Sequence, residues 1–179
     1  MNLSEKTVSQ KYMFHGRIIH MRVDDILLPN GKEAEREVVE HPGGVCVAAL
    51  TEDNEIFFVR QFRYPYGQVL LEIPAGKLER GEDPLTCGKR ELLEEAGVIA
   101  EKYTSLGILY PTPGYCNEII HMYLAEDLRL AHQNLDEDEF LTVEKIPLKT
   151  AVEMIVNHKV PDAKTQAAVL KVAAMKAMF

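Results

Sequence analysis

Long apolar runs, paired cysteines and basic clusters are all missing from this 179-residue sequence. No apolar stretch approaches the roughly 20 residues that a membrane-spanning helix needs, which excludes an integral helical membrane protein. The first ten residues have no apolar core, so they are not expected to act as a signal peptide. Cys46, Cys87 and Cys116 are odd in number and widely spaced, without zinc-type pairing. They read as reduced, structural thiols, and the expected compartment is the cytoplasm. Lys and Arg total 20 against 28 Asp and Glu, a net charge of −8 with no basic run. That excludes nucleic acid as a bulk electrostatic partner, because duplex binding needs clustered cations. Internal repeats and low-complexity linkers are absent too. What is present is 46% apolar residues, enough for a core, on a length that suits one domain or one domain with a small extension.

Arg17 to Leu28 partly alternates and reads as a strand. Asn30-Gly31 follows, a strong short hairpin signal, with Glu35 to Glu40 as the returning strand. Gly44–Thr51, Glu55–Phe62 and Val69–Ile73 read as further strands, as do Tyr103–Leu109, Asn117–Glu126 and Phe140–Ile146. Asp83 as N-cap, Pro84 at the first helical position and Gly97 past the end bound a helix over 84–96. Leu148–Asn157 and a stretch from Asp162 to about Met178 read as two closing helices. Runs of strands with interposed and terminal helices predict a three-layer α/β arrangement with helices on both faces of a mixed sheet.

The 84–96 helix carries the chemistry. Leu85, Leu92 and Ala96 fall on one side at helical spacing. Glu91, Glu94 and Glu95 gather on another, at i, i+3 and i+4, where like charges repel. An acidic helix face is ordinarily just solvated. The flanking glycines and Arg90 point instead to a divalent cation, since Mg²⁺ takes carboxylate oxygens and is completed by substrate phosphates.

As a pattern, the segment runs Gly76, five residues, Glu82, seven residues, Arg90-Glu91, Leu92, one residue, Glu94-Glu95, one residue, Gly97, Val98. It resembles the signature of the Nudix hydrolases, with every fixed position filled. The resemblance implies an α/β/α sandwich with a mixed sheet, preceded here by a small N-terminal β element. It divides the chain into that element, residues 1–41, serving dimerisation and substrate, and a Nudix hydrolase domain, 42–179. It also implies hydrolysis of a nucleoside diphosphate linked to a further group, with Mg²⁺ (or Mn²⁺) as cofactor. The expected metal ligands are the Ala75 carbonyl, Glu91, Glu95 and Glu139. Glu94 is a catalytic candidate that could bind a second ion. Glu82 and Arg90 read as architectural, with Arg90 tying loop to helix. The run Asp136-Glu137-Asp138-Glu139 on its own would be a solvated loop. By resemblance it supplies the general base, Glu137, and the added ligand Glu139, two roles that can exchange by one step.

Substrate class rests on residues outside the signature. Thr112-Pro113-Gly114, Val59–Arg63, the run 71–76, Gly16–Ile19 and Arg36–His41 resemble the ADP-ribose pyrophosphatase subfamily, with threonine replacing its usual serine at 112. The expected substrate contacts are Arg17, Ile18, Arg36, Glu37, Arg63, Pro113, Gly114 and Glu118. Arg63 suits a phosphate through its guanidinium fork. His41 adjoins a predicted substrate strand, whereas His20, His121, His132 and His158 show no partner in sequence. The implied reaction is hydrolysis of ADP-ribose to AMP and ribose 5-phosphate. The implied assembly is a homodimer whose N-terminal strands help bind the neighbour's adenosine end. The alternatives are a diphosphatase for another nucleotide sugar and a catalytically silent domain that senses a nucleotide. Intact Glu91, Glu94 and Glu95 argue against the silent domain.

Overall fold

A computed structural model describes residues 2–135 and 139–177. The chain forms two compact units, one of residues up to Gly43 together with Tyr110–Ile119, the other of Gly44–Leu109 with the chain from Ile120 onward.

The first unit is an antiparallel sheet of β1 (Lys6–His15), β2 (His20–Leu27) and β3 (Glu33–Glu40), in that order. The Asn30-Gly31 turn is as expected: Leu28 N–H donates to Lys32 O at 2.8 Å, with Gly31 at φ 81°. Two expectations change. β1 was not foreseen, because it is exposed along its whole length and has no buried face to impose a period of two. Arg17, Ile18 and Ile19 precede the second strand instead of opening it. They form a tight turn in which Gly16 N–H donates to Ile19 O at 2.9 Å. The segment 110–119 lies along the end of β3, with Val39 N–H on Tyr115 O at 2.7 Å.

The second unit holds the main core. β4 (Gly44–Ala49) is followed by β5 (Glu55–Arg63), a 3-10 turn at Tyr64–Tyr66, β6 (Gln68–Glu72) and β7 (Ala75–Lys77). α1 (Pro84–Ala96), β8 (Val98–Leu109), β9 (Ile120–Leu130), β10 (Leu141–Pro147), α2 (Leu148–Val156) and α3 (Ala163–Met175) complete it. One sheet runs β10-β5-β6 and is antiparallel; the other runs β7-β4-β9-β8, with β4 parallel to β9. β4 shows why this is a layered fold. It is buried throughout, and its successive side chains face opposite ways. Val45, Val47 and Ala49 pack with Cys87, Leu92 and Ala96 of α1, while Cys46 and Ala48 pack with Ala168, Val169 and Val172 of α3. Helices therefore cover both faces, as expected. β7, only three residues long, was too short to show in the sequence. β8 begins five residues before the expected Tyr103 and β9 ends four beyond Glu126. Met178, the expected end of the last helix, lies outside the described residues. Among the described residues no helix is long and apolar enough to cross a membrane.

Candidate active site

Sequence fixes both ends of α1. The Asp83 side chain accepts from Thr86 N–H at 2.9 Å, and Pro84 starts the helix. Gly97, at φ 63°, closes it by donating its N–H to the carbonyls of Leu92 and Leu93. The helix buries Cys87, Gly88, Leu92 and Ala96, and with them Glu91 and Glu95. So the two outer carboxylates of the predicted trio are not on a solvated face.

Their surroundings explain the glycine and the arginine of the signature. β7 pairs with β4, Gly76 opposite Val45, which brings the β7 backbone against the Glu91 carboxyl. A Cβ on Gly76 would lie only 1.8–2.3 Å from that carboxyl group. Ala75 N–H donates to Glu95 Oε2 at 2.8 Å. Arg90 binds Glu82 with two parallel bonds of 3.1 Å and turns Nη1 to Glu91 at 2.8 Å and Glu94 at 2.9 Å. Arg90 thus ties loop to helix, the architectural role expected of it and of Glu82. That fork, with the Glu79 N–H, pulls the Glu82 carboxyl down to about 2. Cys87 is buried, with its thiol pushed up to about 12 by burial first of all, and it behaves as a small apolar residue.

The electrostatics of Glu91 and Glu95 run the other way. Burial is the main cause that pushes Glu95 up to about 8; the Ala75 N–H opposes it, and the charges of Glu91 and Glu139 add to it. Burial likewise raises Glu91, against Arg90 and with Glu94 and Glu139. Glu139 lies close enough for its charge to be felt at both carboxyls. The backbone shows how. After β9 the chain is fastened to the end of α1: Ala131 N–H donates to Gly97 O at 2.7 Å, and Asn134 N–H to Glu94 O at 3.1 Å. Gln133 Nε2 donates to Glu95 O at 2.5 Å. Glu139 also borders a cleft of about 440 Å³ with Phe62, Val69 and Phe140 in its wall. Glu137, the predicted base, lies outside the described residues.

Among the described residues no three His, Cys, Asp or Glu side chains already stand as a closed metal site. Arg90 occupies Glu91 and Glu94. The donor set nevertheless fits a hard divalent cation: it is all oxygen, and burial of Glu91 and Glu95 raises both carboxyls, so that keeping them ionised calls for added positive charge.

The structure brings Ala75, Glu91, Glu94, Glu95 and Glu139 together in the second unit, and Arg63 with them. Arg63 and Glu95 attract each other electrostatically. Arg63 is also committed inward. Its Nε and Nη2 donate to the two oxygens of Glu72 at 2.7 Å each, while Nη1 makes no hydrogen bond among the described residues. Arg17, Ile18, Arg36, Glu37, Pro113, Gly114 and Glu118 fall in the first unit. There Arg36 pairs with Glu5 at 2.5 Å. Glu118 stands 3.3 Å from His41 Nδ1, the atom that accepts Gly43 N–H at 3.1 Å.

Sequence reasoning gave no role to Glu72, Asp162 and Lys164. Glu72 sits in the apolar run Val69–Ile73 and is almost fully buried. A charged residue on a buried strand position is a signal that cations must meet it. Lys164 is that cation, and it lies 92 positions away in the chain.

The fold and this carboxylate-bearing helix belong to a metal-using class of hydrolases, and the comparisons place the chain within it. Residues 21–168 match the NUDIX domain, and the chain belongs to that family. Nudix hydrolases generally use divalent metal ions. The chain is 44% identical to an ADP-ribose pyrophosphatase of Bacillus subtilis (strain 168), over 94% of this chain and 92% of that one. It is 43% identical to a methanol dehydrogenase activator of Bacillus methanolicus, over 92% and 90%. A solved structure of an ADP compounds hydrolase shares the fold at a TM-score of 0.87 and 21% identity, covering 99% of this chain and 97% of that one.

Proposed function

We propose that the protein hydrolyses the pyrophosphate of ADP-ribose, giving AMP and ribose 5-phosphate. The observation that carries the reading is the pair of buried, under-compensated carboxylates, Glu91 and Glu95, on a helix fixed by Gly76 and Arg90. Similarity to an ADP-ribose pyrophosphatase over nearly the whole chain supports the substrate. Glu91, Glu95, Glu139 and the Ala75 carbonyl would hold Mg²⁺ (or Mn²⁺), with Glu94 available to a second ion. A bound divalent cation offsets the charge of the phosphate oxygens and acidifies water. The chain's own groups do the rest. Arg63 presents its remaining donors to a phosphate. Glu137 takes a proton from the attacking water as the P–O bond of the pyrophosphate breaks and the leaving phosphate keeps the bridging oxygen. Three free cysteines, two of them buried, support a reducing, cytoplasmic setting.

The test is a hydrolysis panel of nucleoside diphosphate sugars with Mg²⁺ and with Mn²⁺. ADP-ribose should give the highest kcat/KM, and better turnover of another nucleotide sugar would overturn the substrate. Glu137→Gln should lower turnover with little change in affinity, whereas Glu139→Gln should also weaken the metal dependence. Equal, negligible effects would return the acidic run to a solvated loop.

The first unit supports a homodimer. Tyr12, Met13, Phe14, Ile18 and Ile19 are all exposed on or beside its small sheet, and such a sheet needs something to pack on. A closed two-fold dimer is the commonest arrangement. Light scattering at micromolar concentration checks it, and a strict monomer with full activity would refute it. The similarity to a methanol dehydrogenase activator favours a second reading, in which hydrolysis serves a partner enzyme. A methanol dehydrogenase assayed with the wild type and with Glu95→Gln separates the two.

A further inference from the structure

Beneath Arg63 lies a chain of alternating charges that the proposed hydrolysis does not use directly. Glu72, 1% exposed, receives Arg63 on both oxygens and Lys164 Nζ on Oε2. Lys164 also donates to Asp162 Oδ1 at 3.0 Å. Asp162 caps α3 by accepting Thr165 N–H at 2.9 Å, and the Thr165 hydroxyl accepts Ile73 N–H at 3.0 Å. So the start of α3 is bolted to the loop that leads into Ala75 and Gly76.

Lys164 is an expensive residue for this place. Its side chain is 11% exposed, and it sits in the first turn of a helix, where the macrodipole disfavours a cation. Burying ion pairs generally does not beat apolar packing for stability. A packing role would be met as well by methionine. The charge count shows what methionine could not do. Arg63 and Glu72 alone sum to zero, so the guanidinium would be spent on its own carboxylate. Lys164 supplies a second cation to Glu72 and leaves Arg63 with positive charge to offer. Asp162 returns the sum of the four groups to zero, but it sits behind Lys164 and acts on Arg63 more weakly than Glu72, which Arg63 touches. Arg63 is the outward member of the chain: its side chain is 37% exposed against 2% for Glu72, and its charge is felt at Glu95.

We propose that Lys164 is a positioning residue for substrate binding: by neutralising Glu72 from behind, it holds the Arg63 fork in place and keeps it a net cation for a phosphate of the substrate. This rests on the proposed reading of the protein as a hydrolase of nucleoside diphosphate sugars. It assigns phosphate affinity partly to the C-terminal helix, far in sequence from the Nudix signature.

The experiment measures kcat and KM for ADP-ribose, with melting temperatures alongside. Lys164→Met should raise KM about tenfold, the order expected for losing one partly screened charge, with kcat within about twofold of wild type. Lys164→Arg keeps the charge and should hold KM within about threefold. The double variant Lys164→Met/Glu72→Gln removes both charges and should bring KM back toward wild type. A purely structural lysine gives the opposite pattern, with a lowered melting temperature, unchanged KM and no rescue by Glu72→Gln. That pattern would overturn the inference. If Lys164→Met does not fold, the arginine variant decides, and a tenfold rise in its KM refutes the charge role. Wild type inactive on every nucleoside diphosphate sugar would instead refute the proposed function. Wild-type activity with a KM unmoved in Lys164→Met refutes this inference alone.

Discussion

Glu72 and Glu95 are buried to nearly the same degree, 1% and 2% exposed, yet the protein treats them oppositely. Burial alone would raise both carboxyls. At Glu72, Arg63 and Lys164 overcome burial and hold the carboxyl below its usual range. At Glu95 the direct donor among the described residues is a backbone N–H, Arg63 attracts it only from a distance, Glu91 and Glu139 add negative charge, and burial above all raises the carboxyl to about 8. The two differ in countercharge. Glu72 has two cations in direct contact, whereas Glu95 feels Arg63 only from a distance. Under the proposed reading, a bound cation supplies what Glu95 lacks.

The largest effect should fall on the unbalanced side. Glu95→Gln keeps the shape and the bond from Ala75 N–H while removing the charge. Turnover should fall about a hundredfold or more, since charge neutralisation at the phosphates is the main service of a bound cation. The fold should survive, and without cation the variant should melt close to wild type, because the amide has the same shape and keeps an oxygen for the Ala75 N–H. Mg²⁺ should raise the melting temperature of wild type and not of the variant. Near wild-type turnover in a folded variant would dissolve the distinction between the two glutamates.

Next comes the wall behind Glu91. Gly76→Ala changes no charge, but its methyl must occupy space held by the Glu91 carboxyl. That carboxyl has to move by an ångström or more, and misplacement on this scale can cost about a hundredfold. We expect a loss of about ten- to a hundredfold in kcat/KM with the circular dichroism spectrum unchanged. Full activity would mean that the position of Glu91 is not critical.

The unbalanced side was legible in the sequence and the balanced side was not. The signature around Glu91, Glu94 and Glu95 is local: a helix, its caps, a loop glycine and an arginine, all within 76–98. Periodicity and capping rules read such a unit directly, and α1 begins and ends where they put it. β4 was legible too, as a continuous apolar run. The Glu72 network is assembled from β5, β6 and α3, with partners 9 and 92 positions apart. No local pattern announces that a lysine in the last helix meets a glutamate on the sixth strand. β1 escaped for a different reason. Strand periodicity is visible only where one face is buried, and β1 is exposed on both.

On the balanced side, Glu72→Gln should spare kcat and cost stability. It leaves Arg63 and Lys164 without their shared carboxylate, and breaking a buried pair costs about 3–5 kcal/mol, somewhat less here because an amide oxygen remains. At this chain length that lowers the melting temperature by about 5–15 °C. The pH dependence gives a sharper reading. The folded state holds the Glu72 carboxyl below its unfolded value, so its contribution is present above about pH 4.5 and is lost as pH falls below that. The stability gap between wild type and Glu72→Gln, measured by urea unfolding, should therefore shrink from pH 7 to pH 3. A gap that stayed constant would mean that the network is not a charge network.

The smallest effects separate two caps that look alike. Asp83 and Asp162 each accept an N–H three residues on, at 2.9 Å. Asp83 does little else, so Asp83→Ala should cost about 1 kcal/mol, about 2–4 °C in melting temperature, with kcat and KM unchanged. Asp162 also holds Lys164, so Asp162→Ala should cost about twice as much. It should not raise KM, because removing an anion behind Glu72 leaves Arg63 no less positive. Asp162→Asn keeps the cap and should fall between wild type and the alanine variant, whereas Asp83→Asn should be nearly silent. Thermal melts with parallel kinetics on these four variants are enough. If Asp83→Ala and Asp162→Ala cost the same, Lys164 draws nothing from Asp162, and the buried network ends at Glu72.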